Sequence, residues 1–120
     1  YIAESASIGD GVIIECGCVV SSDAVIGNNA CILAHSIIGH NCSVGEHSQI
    51  SSMVVTGGGS QIRSKCFIGM QASILNGISI GDGSIVAQAS AVVRDIPNDV
   101  IAMGNPARVI RKNAEHRVFK

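Results

Sequence analysis

A narrow parallel β-solenoid is the fold class this sequence predicts, and three periodicities predict it. Every sixth residue from Ile2 to Val92 is Ile or Val in fifteen cases of sixteen, Thr56 being the exception. Four places after each stands a second column, from Ala6, Val12, Cys18 and Ala24 through Ser36, Cys42, Ser48 and Ser60 to Ser84 and Ser90, in which every member is small or β-branched. Gly9, Gly27, Gly45 and Gly81 recur at a spacing of 18, with Arg63 in the one remaining place.

Each periodicity specifies an element. An α-helix cannot carry a six-residue stripe, because at about 100° per residue the stripe drifts by about 120° per step. Short strands joined by tight bends can carry it, with one large aliphatic and one small side chain of each hexad facing inward. Three sides close a coil of 18 residues, and the glycine column marks turns expected to use the backbone angles that glycine adopts freely. About five coils, stacked at the spacing of about 4.8 Å between strands of a sheet, make a short prism. Residues 1–95 are read as this parallel β-helix, and residues 96–120 as a C-terminal cap and basic tail, because Pro97 and Pro106 fall where the pattern has stopped.

Composition bounds the rest. A chain of 120 residues is read as one domain. Apolar residues make up 47% of it, yet there is no Trp, one Tyr and two Phe, so the core must be built from Ile, Val, Ala and Cys. No apolar run reaches the roughly 20 residues of a membrane span, and no leader pattern is visible. The chain opens on Tyr1, as a processed chain or a segment of a longer one would. Five cysteines without a C-x-x-C pair argue against a disulfide framework and a zinc ribbon; reduced, mostly buried cysteine and a cytosolic compartment are expected.

The net charge of −1 gives no support to a nucleic-acid partner. Its distribution is uneven, however. The first 103 residues sum to −5, whereas Arg108, Arg111, Lys112, Arg117 and Lys120 against Glu115 leave +4 from Gly104 onward. That end is either a solvated tail or a site for phosphates.

The hexad pattern over residues 2–112 resembles the hexapeptide-repeat acyltransferase superfamily, whose prisms are left-handed. The hand is implied by the resemblance alone, since parallel crossovers are right-handed in nearly all other folds. Within Ile37–Ile50, the segment His40-Asn41-Cys42 resembles the His-Asp-Cys or His-Glu-Cys segment of sialic-acid O-acetyltransferases and bacillosamine-pathway sugar N-acetyltransferases. Thr56-Gly57-Gly58 falls where those enzymes have Ala-Gly beside the thioester, and Gly104-Asn105-Pro106-Ala107-Arg108 resembles their exit from the prism near coenzyme A.

The resemblance implies a homotrimer with sites between chains, acetyl-CoA as co-substrate, and transfer of acetyl to an amino or hydroxyl group of a sugar or nucleotide-sugar, with His40 as general base. It places the donor against Gly57, Gly58, Met70, Ala87 and Ala89, with Arg108, Arg111 and Lys112 toward its phosphates. The 18-residue period independently stacks His40 between Ser22 and Gly58, so room for a thin pantetheine arm is expected beside the imidazole, with Gly58 N–H as a candidate oxyanion donor.

The chain also departs from the family pattern. Gly39 and Asn41 replace acidic neighbours of the base, Gln49 stands where a second His is expected, and Leu33 where an Asn is. Asp23, one coil below Asn41, is the nearest in-chain carboxylate to orient the base; a backbone carbonyl or a neighbouring subunit are the alternatives. His35 and His47 read as surface or interface residues or as substrate contacts, and Lys65, stacked beside His47, joins it and Gln49 in an acceptor pocket for a negatively charged sugar nucleotide.

Two other functions fit parts of the sequence. His35 and His40 have the His-x-x-x-x-His spacing of γ-carbonic-anhydrase-like zinc hydratases, but no His precedes His35 and a catalytic zinc needs three protein ligands. A non-catalytic trimerisation or binding module would need only the prism, not the basic exit segment.

Overall fold

The computed structural model describes residues 1–114, so His116 and the basic residues Arg117 and Lys120 lie outside the described residues. Each hexad folds as a two-residue strand and a four-residue turn. The first sheet stacks β1 (Ser7–Ile8), β4 (Val25–Ile26), β7 (Ser43–Val44), β10 (Gln61–Ile62) and β13 (Ser79–Ile80). The second contains β2 (Ile13–Ile14), β5 (Cys31–Ile32), β8 (Gln49–Ile50), β11 (Phe67–Ile68) and β14 (Ile85–Val86), followed by β16 (Val100–Gly104) and β17 (Ala107–Lys112). The third stacks β3 (Val19–Val20), β6 (Ile37–Ile38), β9 (Val55–Thr56), β12 (Ser73–Ile74) and β15 (Ala91–Val92). Within the coils all pairing is parallel and joins residues 18 apart, as in Ser7 with Val25 and Ile37 with Val55. The molecule is a left-handed parallel β-helix, and no helix is long and apolar enough to cross a membrane.

The aliphatic column is the core. From Val20 to Val92 its members are at most 3% exposed, whereas in the first coil Ile2 and Ile8 are 47% and 39% exposed because no coil lies beneath them. The second column also faces inward, and all of its serines except Ser60 bind backbone one coil on. Ser36, Ser48 and Ser84 donate to the carbonyls of Ser51, Arg63 and Pro97 at 2.6–2.7 Å. Cys18, Cys42 and Cys66 do the same, to Leu33, Gly57 and Gly81, at 3.0–3.1 Å. No buried side-chain nitrogen or oxygen among the described residues lacks a partner, as a polar column in so thin a core requires. Burial pushes the Cys66 thiol up to about 11. All five cysteines are free; Cys18, Cys42 and Cys66 are buried, Cys31 half-buried and Cys16 exposed.

The glycine column is explained by a cause other than the expected one. Gly9, Gly27, Gly45 and Gly81 are absent from the positive-φ residues. The left-handed angle falls two places later in the turns from 9–12 to 87–90, at Gly11, Gly17, Asp23, Asn29, His35, Asn41, His47, Met53, Gly59, Lys65, Gln71, Gly77, Gly83 and Ala89, all near +60° to +75°. What Gly27 provides is space: a Cβ there would stand 2.8 Å from Glu46 N in the coil above, and one on Gly45 would press on the Arg63 carbonyl.

Beyond Val92 the chain keeps contact with the prism. Ile96 bridges to Ile80 and β16 pairs in parallel with β14, burying Ile96, Val100 and Ala102 over the last coil. β17 then returns antiparallel to β16 around Gly104-Asn105-Pro106, so the basic residues Arg108, Arg111 and Lys112 lie exposed on the last strand of the second sheet.

Candidate functional site at the His40 corner

The turns stack into three corners, and the corner decides which side chains can meet. Turns 21–24, 39–42, 57–60 and 75–78 form the corner between the third and first sheets. It holds Asp23, His40, Asn41, Gly57 and Gly58. His47 and Lys65 belong to the corner between the first and second sheets, whereas His35, Met70, Ala87 and Ala89 belong to the corner between the second and third. Gln49 is on β8 and the three basic residues are on β17. One chain therefore brings Asp23, His40, Asn41, Gly57 and Gly58 to one corner and leaves the other candidates elsewhere on the prism.

The imidazole of His40 leans onto the coil above. A Cβ built on Gly58 would collide with Nε2 and Cε1 of the ring, so the space that the missing side chain leaves is filled by His40 itself. Gly58 being bare is what lets the ring lie across that turn. On the opposite edge of the ring, Nδ1 is 3.1 Å from Asn41 Oδ1. An amide oxygen only accepts, so this contact favours the tautomer protonated on Nδ1, with Nε2 on the Gly58 side of the ring. The Asp23 amide donates to Ser5 Oγ at 3.0 Å, and its exposed carboxylate makes no hydrogen bond, to His40 or otherwise, among the described residues.

Beside Gly57 an apolar groove of about 300 Å³ runs over the outer face of the third sheet, lined by Val55, Gly57, Ser73, Leu75, Asn76, Ala91 and Val93. His35 and His40 sit at different corners, and no group of three or more His, Cys, Asp or Glu among the described residues is arranged to hold a metal ion.

Fold and corner together define a hexapeptide-repeat β-helix carrying a histidine on one turn. Residues 23–58, which include that turn, match the family model described as "Bacterial transferase hexapeptide (six repeats)", and the hexad pattern and the fold on either side of that segment are of the same kind. It is 34% identical over 112 residues to serine acetyltransferase 2 of Arabidopsis thaliana, a match covering 92% of this chain and 32% of that protein. It is 50% identical over 44 residues to the 2,3,4,5-tetrahydropyridine-2,6-dicarboxylate N-acetyltransferase of Clostridium perfringens, covering 37% of this chain and 19% of that one. Among solved structures it superposes on PerB from Caulobacter crescentus, crystallised with CoA and GDP-perosamine, with a TM-score of 0.88 and 30% identity over 90% of this chain and 52% of PerB. The chain spans about a third or less of the curated relatives it matches and about half of PerB.

Proposed function

We propose that this chain is the catalytic prism of an acetyl-CoA-dependent sugar N- or O-acetyltransferase, with His40 as general base. The observation that carries the reading is the imidazole laid across Gly58 with its second nitrogen held by Asn41; the likeness to PerB, a protein crystallised with CoA and a nucleotide-sugar, supports the substrate class. In this reading the amine or hydroxyl of a sugar or nucleotide-sugar attacks the thioester carbonyl while His40 Nε2 takes its proton. Collapse of the tetrahedral intermediate breaks the carbon–sulfur bond, and the departing thiolate of coenzyme A receives that proton from the imidazolium. No acyl-enzyme forms, and imidazole suits the task because one ring nitrogen can accept a proton while the other is held by a partner.

The remaining candidates enter from a second copy. Met70, Ala87 and Ala89 are on the opposite edge of the third sheet from His40, so they reach a shared donor when one copy's corner meets the other corner of the next. Such a heterologous contact closes as a ring, and a homotrimer is the proposed assembly, with Arg108, Arg111 and Lys112 on the donor's phosphates. Buried free thiols fit a reducing, cytoplasmic setting.

The test is transfer of acetyl from acetyl-CoA to a panel of nucleotide-linked amino sugars, followed by thiol release, with calorimetric titration of CoA and Zn²⁺ in parallel. CoA binding with acetylated product is expected. Binding of Zn²⁺ without CoA binding overturns the reading in favour of the hydratase, and binding of neither leaves the non-catalytic module.

A further inference from the structure

The single break in the aliphatic column lies directly behind the His40 corner. Thr56 is 2% exposed, and its hydroxyl accepts a hydrogen bond from Gly39 N at 3.1 Å while lying 3.4 Å from Cys42 Sγ, to which it donates. Gly39 and Cys42 are the first and last residues of the turn that carries His40 and Asn41. One hydroxyl therefore spans that turn from the inside. The residue in the same relation to the turns at 21–24, 27–30, 33–36 and 45–48 is Ile38, Val44, Ile50 or Ile62, none of which can make such a contact.

A second departure sits in the same place. The inward serines Ser36, Ser48 and Ser84 reach forward to the next coil's carbonyl. Ser60 instead turns back to Gly57 O at 2.7 Å and meets Cys42 Sγ at 3.2 Å. Cys42 Sγ also donates to Gly57 O at 3.0 Å. The carbonyl of the Gly57–Gly58 peptide, on which the imidazole rests, is thus gripped by a thiol and a hydroxyl, and the same thiol is joined to Thr56.

None of this is required by the fold. If the Thr56 hydroxyl were removed, Gly39 N would keep its backbone acceptor, Thr56 O at 3.1 Å, and the Cys42 thiol would keep Gly57 O. No buried group would be orphaned, so the usual penalty for deleting a buried polar partner does not arise. Valine is, moreover, a regular occupant of that column.

We propose that Thr56 is a positioning residue for His40: through Gly39 N, Cys42 Sγ and the Gly57 carbonyl it locks the His40 turn to the turn above, against which the ring lies, and so fixes the tautomer and direction of the imidazole. This rests on the reading of His40 as the base only for its effect on rate; the effect on the ring is independent of any substrate. The experiment compares wild type, Thr56→Val and Thr56→Ser by long-range ¹H–¹⁵N spectra of the His40 side chain, thermal unfolding, and kcat and KM for acetyl transfer. In wild type and Thr56→Ser, His40 shows one tautomer, protonated on Nδ1. In Thr56→Val the melting temperature stays within about 2 °C while the ring shows mixed tautomers, and kcat falls about tenfold at unchanged KM, of the order by which a mispositioned base loses rate. A Thr56→Val spectrum identical to wild type overturns the brace, whether or not the protein transfers acetyl. Mixed tautomers in a protein whose wild type acetylates nothing keep the brace and sink the proposed activity. Should Thr56→Val unfold, Cys42→Ala, which severs the same link at the thiol, must produce the mixed tautomers, and a single tautomer there overturns the proposal.

Discussion

Two corners of the prism each lay a histidine ring against a glycine of an adjacent coil, yet they are differently made. His35 is itself the left-handed residue of its turn, with φ of 62°, and its ring lies against Gly17 in the coil below. His40 precedes the left-handed residue of its turn, lies against Gly58 in the coil above, and receives from that left-handed residue, Asn41, an oxygen for Nδ1. The His35 side chain makes no hydrogen bond among the described residues, and Ile50 rather than a hydroxyl stands behind its turn. A histidine stacked on glycine is therefore a packing arrangement available to any corner. What separates a candidate base from such a contact is a fixed second nitrogen and a polar backing.

The largest expected effect tests that separation head-on. His40→Ala should lower turnover by about 10²–10⁴, the contribution of a positioned base, while His35→Ala stays within about threefold of wild type; steady-state kinetics on both variants decide it. Equal losses would erase the distinction between the corners.

The two glycines sharpen it. Gly58 has no positive φ, so Gly58→Ala meets only the movable His40 ring; turnover should drop about tenfold with little change in melting temperature, since a displaced base loses rate rather than stability. Gly17 has φ of +73°, so Gly17→Ala strains the backbone as well as displacing His35. Thermal unfolding should show it less stable by about 1–2 kcal/mol, with catalysis intact.

A smaller effect concerns the edge strand. Arg108→Ala with Arg111→Ala should weaken CoA about tenfold more than dephospho-CoA, as loss of charge-assisted contacts to one phosphate would; equal weakening of both ligands in calorimetry would place the 3′-phosphate elsewhere. The smallest effect is in the cysteines. Cys66, its thiol raised to about 11 from 9.0 by burial, keeps its proton in the folded state at a pH where the unfolded chain has lost it. Its contribution is whole below pH 9 and is lost as pH rises toward 11, so stability falls over that window. Cys66→Ala should flatten that alkaline loss in denaturant titrations, and exposed Cys16 should be alkylated in the native protein well before Cys66.

The prism was legible because two inward positions in six are constrained by a core too narrow for aromatic rings, and those constraints repeat fifteen times in the aliphatic column. The turns were legible only in place. Their left-handed residue is Asp, Asn, His, Met, Lys, Gln, Ala or Gly by turns, a set with no shared side-chain chemistry, whereas the conspicuous glycine column marks close approach between coils. The adjacency of His40 to Gly58 follows from the 18-residue spacing, but the direction of the ring does not, because that depends on a rotamer set by Asn41 and the packing beneath. Thr56 was visible as the sole exception in its column; its meaning required knowing that a hydroxyl there faces both ends of the turn one coil away.

The left-handed corner position also bears on how such a protein changes over generations. The bend is made by the main chain and held by amides of adjoining coils, such as Asn41 N to Ser22 O and His47 N to Asn28 O. Apart from Asn41, whose amide oxygen meets the His40 ring, the side chain at the bend is a passenger. Each corner is then a row of sockets in which aspartate, lysine, glutamine or histidine can be exchanged for one another at nearly constant backbone strain, and a lineage can try new acceptors one substitution at a time without unsettling the prism that holds them.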